Sequence, residues 1–393
     1  MLGDRRVVAT GLGVVSPAGS GLDAFWQGMV GEPAHEPKDG VADFDAGAQY
    51  DSPKELRRSD RVIALGLAAA AEALDDAGEL GLDPRRIGIV FTTGGGVGTF
   101  RENVFVHDEK GARRVSPFAI PSYMPNGAAA QISMRYGLQG PCECHGTACS
   151  SGTNALGNAA RLIAAGRCEV VLAGGGEAPI NEAVVTGFDR TGGASEQGLC
   201  RPFDVDRDGF VVSEGAGLLV LESLEHALER GARIYGEILG HGCTTDAHHI
   251  TTPDPDGTIA KGALQVALAD AGLRPGDIRC YSAHGTGTEF NDSMEANLVA
   301  EIFGTDGPAV CALKGSIGHA IDGSGAVEAI AVLLSFVKQT LPASKNHRTL
   351  DPSFPPIDVV PDGKSRKWTP APTVSANFAF GGHNSALVLA PYE

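Results

Sequence analysis

Two segments of this chain repeat one another. Ala73-Leu-Asp-Asp-Ala-Gly78 leads into Arg86-Ile-Gly-Ile-Val, and Ala267-Leu-Ala-Asp-Ala-Gly272 leads into Asp277-Ile-Arg-Cys-Tyr. In each copy a helix-compatible stretch ends at a glycine, crosses a loop and enters an apolar strand that closes in a Gly/Thr turn. The first copy ends in Thr92-Thr-Gly-Gly and the second in His284-Gly-Thr-Gly-Thr288, so only the second carries an imidazole. A duplication of this kind predicts two similar halves, 1–230 and 231–393, joined near residues 224–234. No low-complexity linker separates them, so they are expected to pack as one body.

The fold class follows from what surrounds the repeat. Apolar runs stop at glycines, as in IGIVFTTGGG (87–96) and VVLAGGGE (170–177), in the manner of buried strands running into turns. Between them lie Ala-rich stretches such as Ile63–Ala77 and Gly152–Ala165 that suit helices. Strands alternating with helices indicate an α/β layer architecture.

Charge and composition exclude several function classes. The 31 Lys and Arg face 48 Asp and Glu, a formal charge of −17 that repels a phosphate backbone, so nucleic acid is not an expected partner. The opening MLGDRRVVATGLGVVSP has a basic pair but lacks the apolar core and cleavage site of a secretory leader. No apolar stretch approaches the roughly 20 residues that span a bilayer. A cytoplasmic location without membrane association is therefore expected. The eight cysteines are scattered along a long chain without a disulfide framework, which points to reduced thiols.

Four segments could carry chemistry. In GPCECHGTACSSGTNALGNAARLIAAG (140–166) a polar turn precedes a helical pattern, and Cys149 stands where that helix begins. The positive end of the backbone dipole and its free N–H groups can stabilise a thiolate there and hold an oxyanion. The same pattern fits a small buried cysteine packed beside alanine. In AHGTGTEFND (283–292), His284 stands at a strand end, with Thr286 and Thr288 offering hydroxyls to an amide-rich ligand or to simple turn capping. In LKGSIGHAIDGSGAVEAI (313–330), Lys314 and His319 share one Gly-rich turn, either converging on a site or standing as a surface lysine and a capping histidine. In NFAFGGHNSALVLA (377–390), Phe378 and Phe380 alternate into a Gly-Gly turn that suits close approach to a ligand, or a hairpin with core aromatics.

Metal and nucleotide chemistry are not indicated. Cys142, Cys144, His145 and Cys149 lack a second ligand pair at zinc-site spacing, and Asp246, His248 and His249 lack one as well. Neither a phosphate-binding loop nor a dinucleotide fingerprint occurs between a strand and a helix.

The nucleophile segment, HGTGT, Lys-x-x-x-x-His and NFxFGGHN, in this order and spacing, resemble the β-ketoacyl-acyl carrier protein synthase family. The resemblance extends to RRVVATGLGVVSPAG at the start, RPFDVDRDGFVVSEGAG (201–217) and RIYGEILGHGCTTDAHHITTP (233–253), and so covers nearly the whole chain. It implies a thiolase-like fold of two βαβαβαββ halves in a five-layered αβαβα body, and a dimer. It further implies that Cys149 takes an acyl group from an acyl carrier protein thioester, after which decarboxylation of malonyl carrier protein yields a carbanion that extends the chain by two carbons. By the same likeness His284 and His319 would stabilise the enolate, and Lys314 would order the histidine pair. The N–H groups of Cys149 and Phe380 would form an oxyanion hole, with Phe380 also a gate, while Thr286 and Thr288 would hold the pantetheine arm. Phe100 and Phe188 would line the acyl pocket, and Lys54, Arg57, Arg58 and Arg190 would dock the acidic carrier, although PKELRRSDR read alone is a solvated helix face.

No cofactor is implied beyond the carrier's phosphopantetheine, and no metal. The partner would be an identical subunit or a chain-length-factor homologue, in fatty acid or type II polyketide synthesis. Phe100 falls where an aliphatic residue is common and is expected to shorten or reshape the acyl tunnel. Asp322-Gly323 replaces a Gly-Ala step, Ala379 a glycine and Glu289 a proline. Two other readings are a non-catalytic chain-length subunit, which the retained Cys149, His284, His319 and Lys314 disfavour, and a degradative thiolase, which would use a second cysteine as acid and base.

Overall fold

Strand β1 (Val7–Ser16) is buried at all ten positions, the mark of a strand covered on both faces, and it sets the plan for both halves of the chain. The computed structural model describes residues 5–304 and 306–392. Met1–Asp4, the start of the segment read above for a leader, lies outside the described residues. After β1 come helix α1 (Arg61–Ala77), strand β2 (Ile87–Thr92), helices α2 (Val97–Lys110) and α3 (Gly127–Tyr136), and the short strand β3 (Cys142–Glu143). Helix α4 (Ser151–Ala164), strand β4 (Val170–Glu177), helix α5 (Glu182–Arg190) and strand β5 (Gly215–Ser223) complete the first half. The second half runs β6 (Gly236–Thr245), α6 (Thr258–Ala271), β7 (Cys280–Ala283), α7 (Glu289–Phe303), β8 (Ala309–Ala312), α8 (Ser324–Lys338), β9 (Thr373–Ala379) and β10 (His383–Ala390).

The two halves have the same topology. In the first the strands lie in the order β3-β2-β4-β5-β1, and in the second β8-β7-β9-β10-β6. In each the first three are parallel and the last two antiparallel. The halves meet where Val7, Val8 and Ala9 of β1 pair with Ile238, Glu237 and Gly236 of β6.

The repeat also explains how closely helix meets sheet. A Cβ on Gly11 or Gly13 of β1 would lie 2.2 or 2.0 Å from the carbonyl oxygens of Ala73 and Ala69 in α1. A Cβ on Gly240 or Gly242 of β6 would lie 2.3 or 2.1 Å from those of Ala267 and Ala263 in α6. Ala73 and Ala267 occupy matching places in the repeated sequence, so the same glycine-on-alanine contact was built twice.

Five layers result, in the expected αβαβα order. Helix α1 covers the outer face of the first half-sheet and α6 that of the second. Helices α4 and α8 fill the space between, where Leu156 and Ile330 pack with Leu219 and Leu221 of β5 and Leu387 and Leu389 of β10. Burying side chains of this size contributes about 1.5–3 kcal/mol each. No helix among the described residues is long and apolar enough to cross a membrane.

Candidate active site

The central layer delivers the Cys149 segment. Residues Ala148–Ser150 form a 3₁₀ turn that runs into α4, and Ala148 is forced to φ +48°, a strained conformation for a residue with a Cβ. Cys149 follows it, buried. Burial, and next the charge of Asp322, push its thiol up to about 12, against the opposing pull of Lys314 and of the N–H groups of Phe380 and Cys149. A helix terminus alone leads one to expect a thiolate, but desolvation outweighs it and the resting sulfur carries its proton.

His284 stands just beyond the end of β7, in a turn whose Gly285 and Gly287 have φ of +43° and +75°. Two buried carboxylates of α7 hold that turn by its backbone. Glu295 accepts from the N–H groups of His284 and Gly285, both at 2.8 Å, and from the Tyr281 hydroxyl at 3.0 Å. Asp292 accepts from Thr286 N–H at 3.1 Å, from Gly287 N–H and from Phe203 N–H at 2.7 Å. Burial raises both carboxyls, Glu295 to about 7. Acidic residues early in a helix ordinarily face solvent, so the only trace of this role in the residue pattern is the spacing of Asp292 and Glu295 four and seven residues beyond Thr288.

Lys314 is fully buried and sits at the centre of a closed network. Its Nζ lies 2.5 Å from Glu328 Oε1, 2.7 Å from the carbonyl oxygen of His284 and 3.2 Å from His284 Nδ1. Asn377 donates to Glu328 Oε2 at 2.8 Å and lies 3.2 Å from the same Nδ1, while its own oxygen accepts from Thr153. Both neighbours of Nδ1 are donors, so that nitrogen accepts and the single proton of His284 sits on Nε2. Burial, then the charge of Lys314 and the neighbouring His319, hold the ring well below its usual titration range, so it is neutral.

His319 is fixed by its own backbone, which bonds Val211 and Ser213, and its ring meets that of His284 edge-on at 5.4 Å. Burial and Lys314 keep it neutral too. Its Nδ1 lies 3.0 Å from the Ser324 hydroxyl at the head of α8.

One cavity of about 300 Å³ is lined by Cys149, His284, His319, Thr286, Thr288 and Phe380. It therefore joins the residues of all four segments singled out in the sequence; Lys314 lies behind it. Thr286 and Thr288 bond one another at 2.9 Å. Phe188, on α5, also lines the cavity and packs on Phe210 at 5.6 Å and on Phe380 at 6.4 Å. Phe100 is not among the lining residues: it lies on α2, 44% exposed, against Tyr123 at 4.6 Å. Lys54 and Arg57 are exposed around the short helix Pro53–Leu56, Arg58 lies 4.0 Å over the Phe118 ring, and Arg190 is exposed at the end of α5.

The remaining positions have specific surroundings. Glu289 occupies the first turn of α7, where an anionic side chain suits the helix dipole, and borders the cavity. Asp322 is buried, raised to about 7 by desolvation, and near it Glu177 is raised to about 8 by desolvation and the charge of Asp322. Asp246 accepts from Asn384 at 2.6 Å, and among the described residues no group of His, Cys, Asp or Glu could hold a metal ion.

A cysteine on a strained helix-entry turn, facing two neutral imidazoles in one cavity within a duplicated α/β body, defines a class of carbon–carbon bond-forming acyltransferases. Comparison with known proteins narrows the class. Residues 30–227 match the model of the β-ketoacyl synthase N-terminal domain and residues 235–348 that of its C-terminal domain. The chain belongs to the β-ketoacyl synthase family. It is 38% identical to 3-oxoacyl-[acyl-carrier-protein] synthase 2 of Synechocystis sp. and 39% identical to that of Rhizobium meliloti, over 99% of each chain in both cases. Among solved structures it is similar to the ishigamide ketosynthase/chain length factor, with a TM-score of 0.90 at 31% identity over 99% of this chain and 100% of that one. It is also similar to a type II PKS ketosynthase bound to the hexaketide with its acyl-carrier protein, with a TM-score of 0.87 at 29% identity over 99% and 100%.

Proposed function

We propose that this chain is a decarboxylative condensing enzyme that joins an acyl group held on Cys149 to a malonyl unit carried by acyl carrier protein, giving a 3-oxoacyl carrier protein. The observation that carries the reading is the shared cavity, in which a protonated thiol and two neutral imidazoles face the same space. In the first half-reaction the Cys149 sulfur attacks the acyl thioester, its carbonyl oxygen received by the N–H groups of Cys149 and Phe380. The carrier's C–S bond breaks, and the proton of the thiol ends on the departing pantetheine sulfur.

In the second half-reaction malonyl carrier protein loses carbon dioxide, which builds negative charge on its thioester oxygen before any new bond relieves it. Nε2–H groups of His284 and His319 receive that oxygen; one such donor is typically worth 10²–10³ in rate, about 2.7–4 kcal/mol. The enolate carbon attacks the acyl-Cys149 carbonyl, a C–C bond forms, and the Cys149 sulfur leaves and is reprotonated by solvent. Thr286 and Thr288 bond the pantetheine amides, and Lys314 with Glu328 and Asn377 keeps His284 in the donating tautomer. Phe188 and Phe380 border the acyl chain, and Lys54, Arg57, Arg58 and Arg190 receive the acidic carrier.

The relatives named above support fatty acid synthesis, and the structural relatives support a type II polyketide pathway, an acyl carrier protein partner and a chain-length-factor heterodimer as the alternative to a homodimer. The enzyme acts in the cytoplasm without cofactor or metal beyond the carrier's phosphopantetheine. A non-catalytic chain-length role is disfavoured by the intact Cys149, His284, His319 and Lys314. Incubation with acyl carrier protein thioesters of several chain lengths, read by intact mass, tests the reading. One acyl group per chain, absent in Cys149→Ala, supports it, and wild-type protein that no chain length modifies overturns it.

A further inference from the structure

The two histidines of the cavity are held by different means. His284 Nδ1 is met by a buried ammonium at 3.2 Å and a side-chain amide at 3.2 Å, both donors only. His319 Nδ1 is met by the hydroxyl of Ser324 at 3.0 Å, a group that can donate or accept. Both residues are buried, and Ser324 Oγ has no other hydrogen-bond partner among the described residues. Nothing in the proposed chemistry has yet required Ser324.

Its place in the fold decides the direction of the bond. Ser324 is the first residue of the fifteen-residue helix α8, entered through the 3₁₀ turn Ile321–Gly323, and the aligned peptide dipoles of that helix make a positive potential at this end. Beside such a terminus a ring nitrogen is better placed as a lone pair than as a second N–H. Burial and the nearby charge of Lys314 leave His319 with a single proton. With Nδ1 accepting from Ser324, that proton is on Nε2, the nitrogen left for the cavity that the ring lines.

We propose that Ser324 is a positioning residue for His319, its hydroxyl donating to Nδ1 so that the ring presents Nε2–H to the oxygen of the decarboxylating malonyl thioester. Ser324 thus does for His319 what Lys314 and Asn377 do for His284, and both imidazoles become donors toward one oxygen. The role concerns the decarboxylation half-reaction alone, because attack by Cys149 on an acyl thioester uses the backbone N–H groups and not this ring. The inference rests on the condensing activity proposed above.

Removal of the hydroxyl separates this role from general support of the fold. In Ser324→Ala, carbon dioxide release from malonyl carrier protein is expected to fall about tenfold in kcat with KM unchanged, while acylation of Cys149 stays within twofold of wild type. Ser324→Thr, which keeps a hydroxyl, is expected to restore most of the rate. Nitrogen-15 NMR of histidine-labelled protein, with His319 assigned by its loss in His319→Asn, should show the Nε2–H tautomer in wild type and a change in Ser324→Ala. Unchanged carbon dioxide release in Ser324→Ala, equal losses in both half-reactions, or a wild-type His319 protonated on Nδ1 would overturn the proposal. A wild-type enzyme that neither acylates nor decarboxylates would instead remove the condensing reading, with the tautomer still measured by NMR.

Discussion

The ammonium of Lys314 lies 3.2 Å from Nδ1 of His284, at a nitrogen that must accept, and this one contact forbids an imidazolium there. The same ammonium pairs with Glu328 at 2.5 Å, both side chains fully buried. Lys314→Ala removes the cation beside the buried Glu328 carboxylate and leaves only Asn377 donating to it, a loss that typically costs about 3–5 kcal/mol. We expect a large fall in thermal midpoint and, in whatever folds, a His284 that protonates as pH drops, so carbon dioxide release is lost toward the acid side where wild type retains it. An acid limb identical in the two proteins would refute the role given to Lys314.

Glu295 supports the same histidine by its backbone, accepting from His284 and Gly285 N–H groups and from Tyr281. Glu295→Ala leaves these buried donors unsatisfied, at about 1–3 kcal/mol for each group. Carbon dioxide release should drop by at least tenfold and the thermal midpoint should fall. Alkylation of Cys149 by iodoacetamide should change little, and a matching loss in alkylation would show that the effect is global.

The Cys149 thiol, pushed up to about 12 by burial and by Asp322, predicts an alkylation rate that keeps rising with pH through pH 10. Asp322→Asn keeps the shape and removes the charge, so the rise should move to lower pH and the rate at pH 8 should increase. Intact-mass kinetics at a series of pH values read both. A wild-type plateau below pH 8 would mean that the helix terminus, not burial, sets the thiol.

Glu177 and Asp322 are raised to about 8 and about 7, above ordinary carboxyl values of 4.5 and 3.8. Between about pH 4 and pH 8 the native protein therefore holds protons that the unfolded chain releases. Stability from these groups is present in full at the acid end of that window and is lost as pH rises through it. The urea midpoint should fall from pH 5 to pH 8, with a shallower slope in Glu177→Gln. A midpoint that rises across this range in wild type and is unaltered in slope by the substitution would contradict the assignment.

Sequence and structure agree where the signal is local and periodic. The repeated ALDDAG and ALADAG segments close α1 and α6, and the two halves share both their strand order and the glycine-on-alanine contacts against those helices. Cys149, His284 and His319 were visible as polar residues in glycine-rich turns. Glu295, Asp292, Glu328 and Asn377 were not, since an acid in a helix or an asparagine in a strand reads as solvated until packing shows it buried with a partner. Phe100, assigned to the acyl pocket by the resemblance alone, lies on α2, none of whose side chains is buried within the single chain. The acidity of Cys149 depends on desolvation, which no spacing of residues records.

The division of labour between Cys149 and the histidine pair is the centre of this account, and His319→Ala tests it most directly. The variant should still accept an acyl group on Cys149 from carrier protein, seen as an intact-mass increase, yet release carbon dioxide from malonyl carrier protein at least a hundredfold more slowly than wild type. Carbon dioxide release at the wild-type rate in that variant would contradict the account.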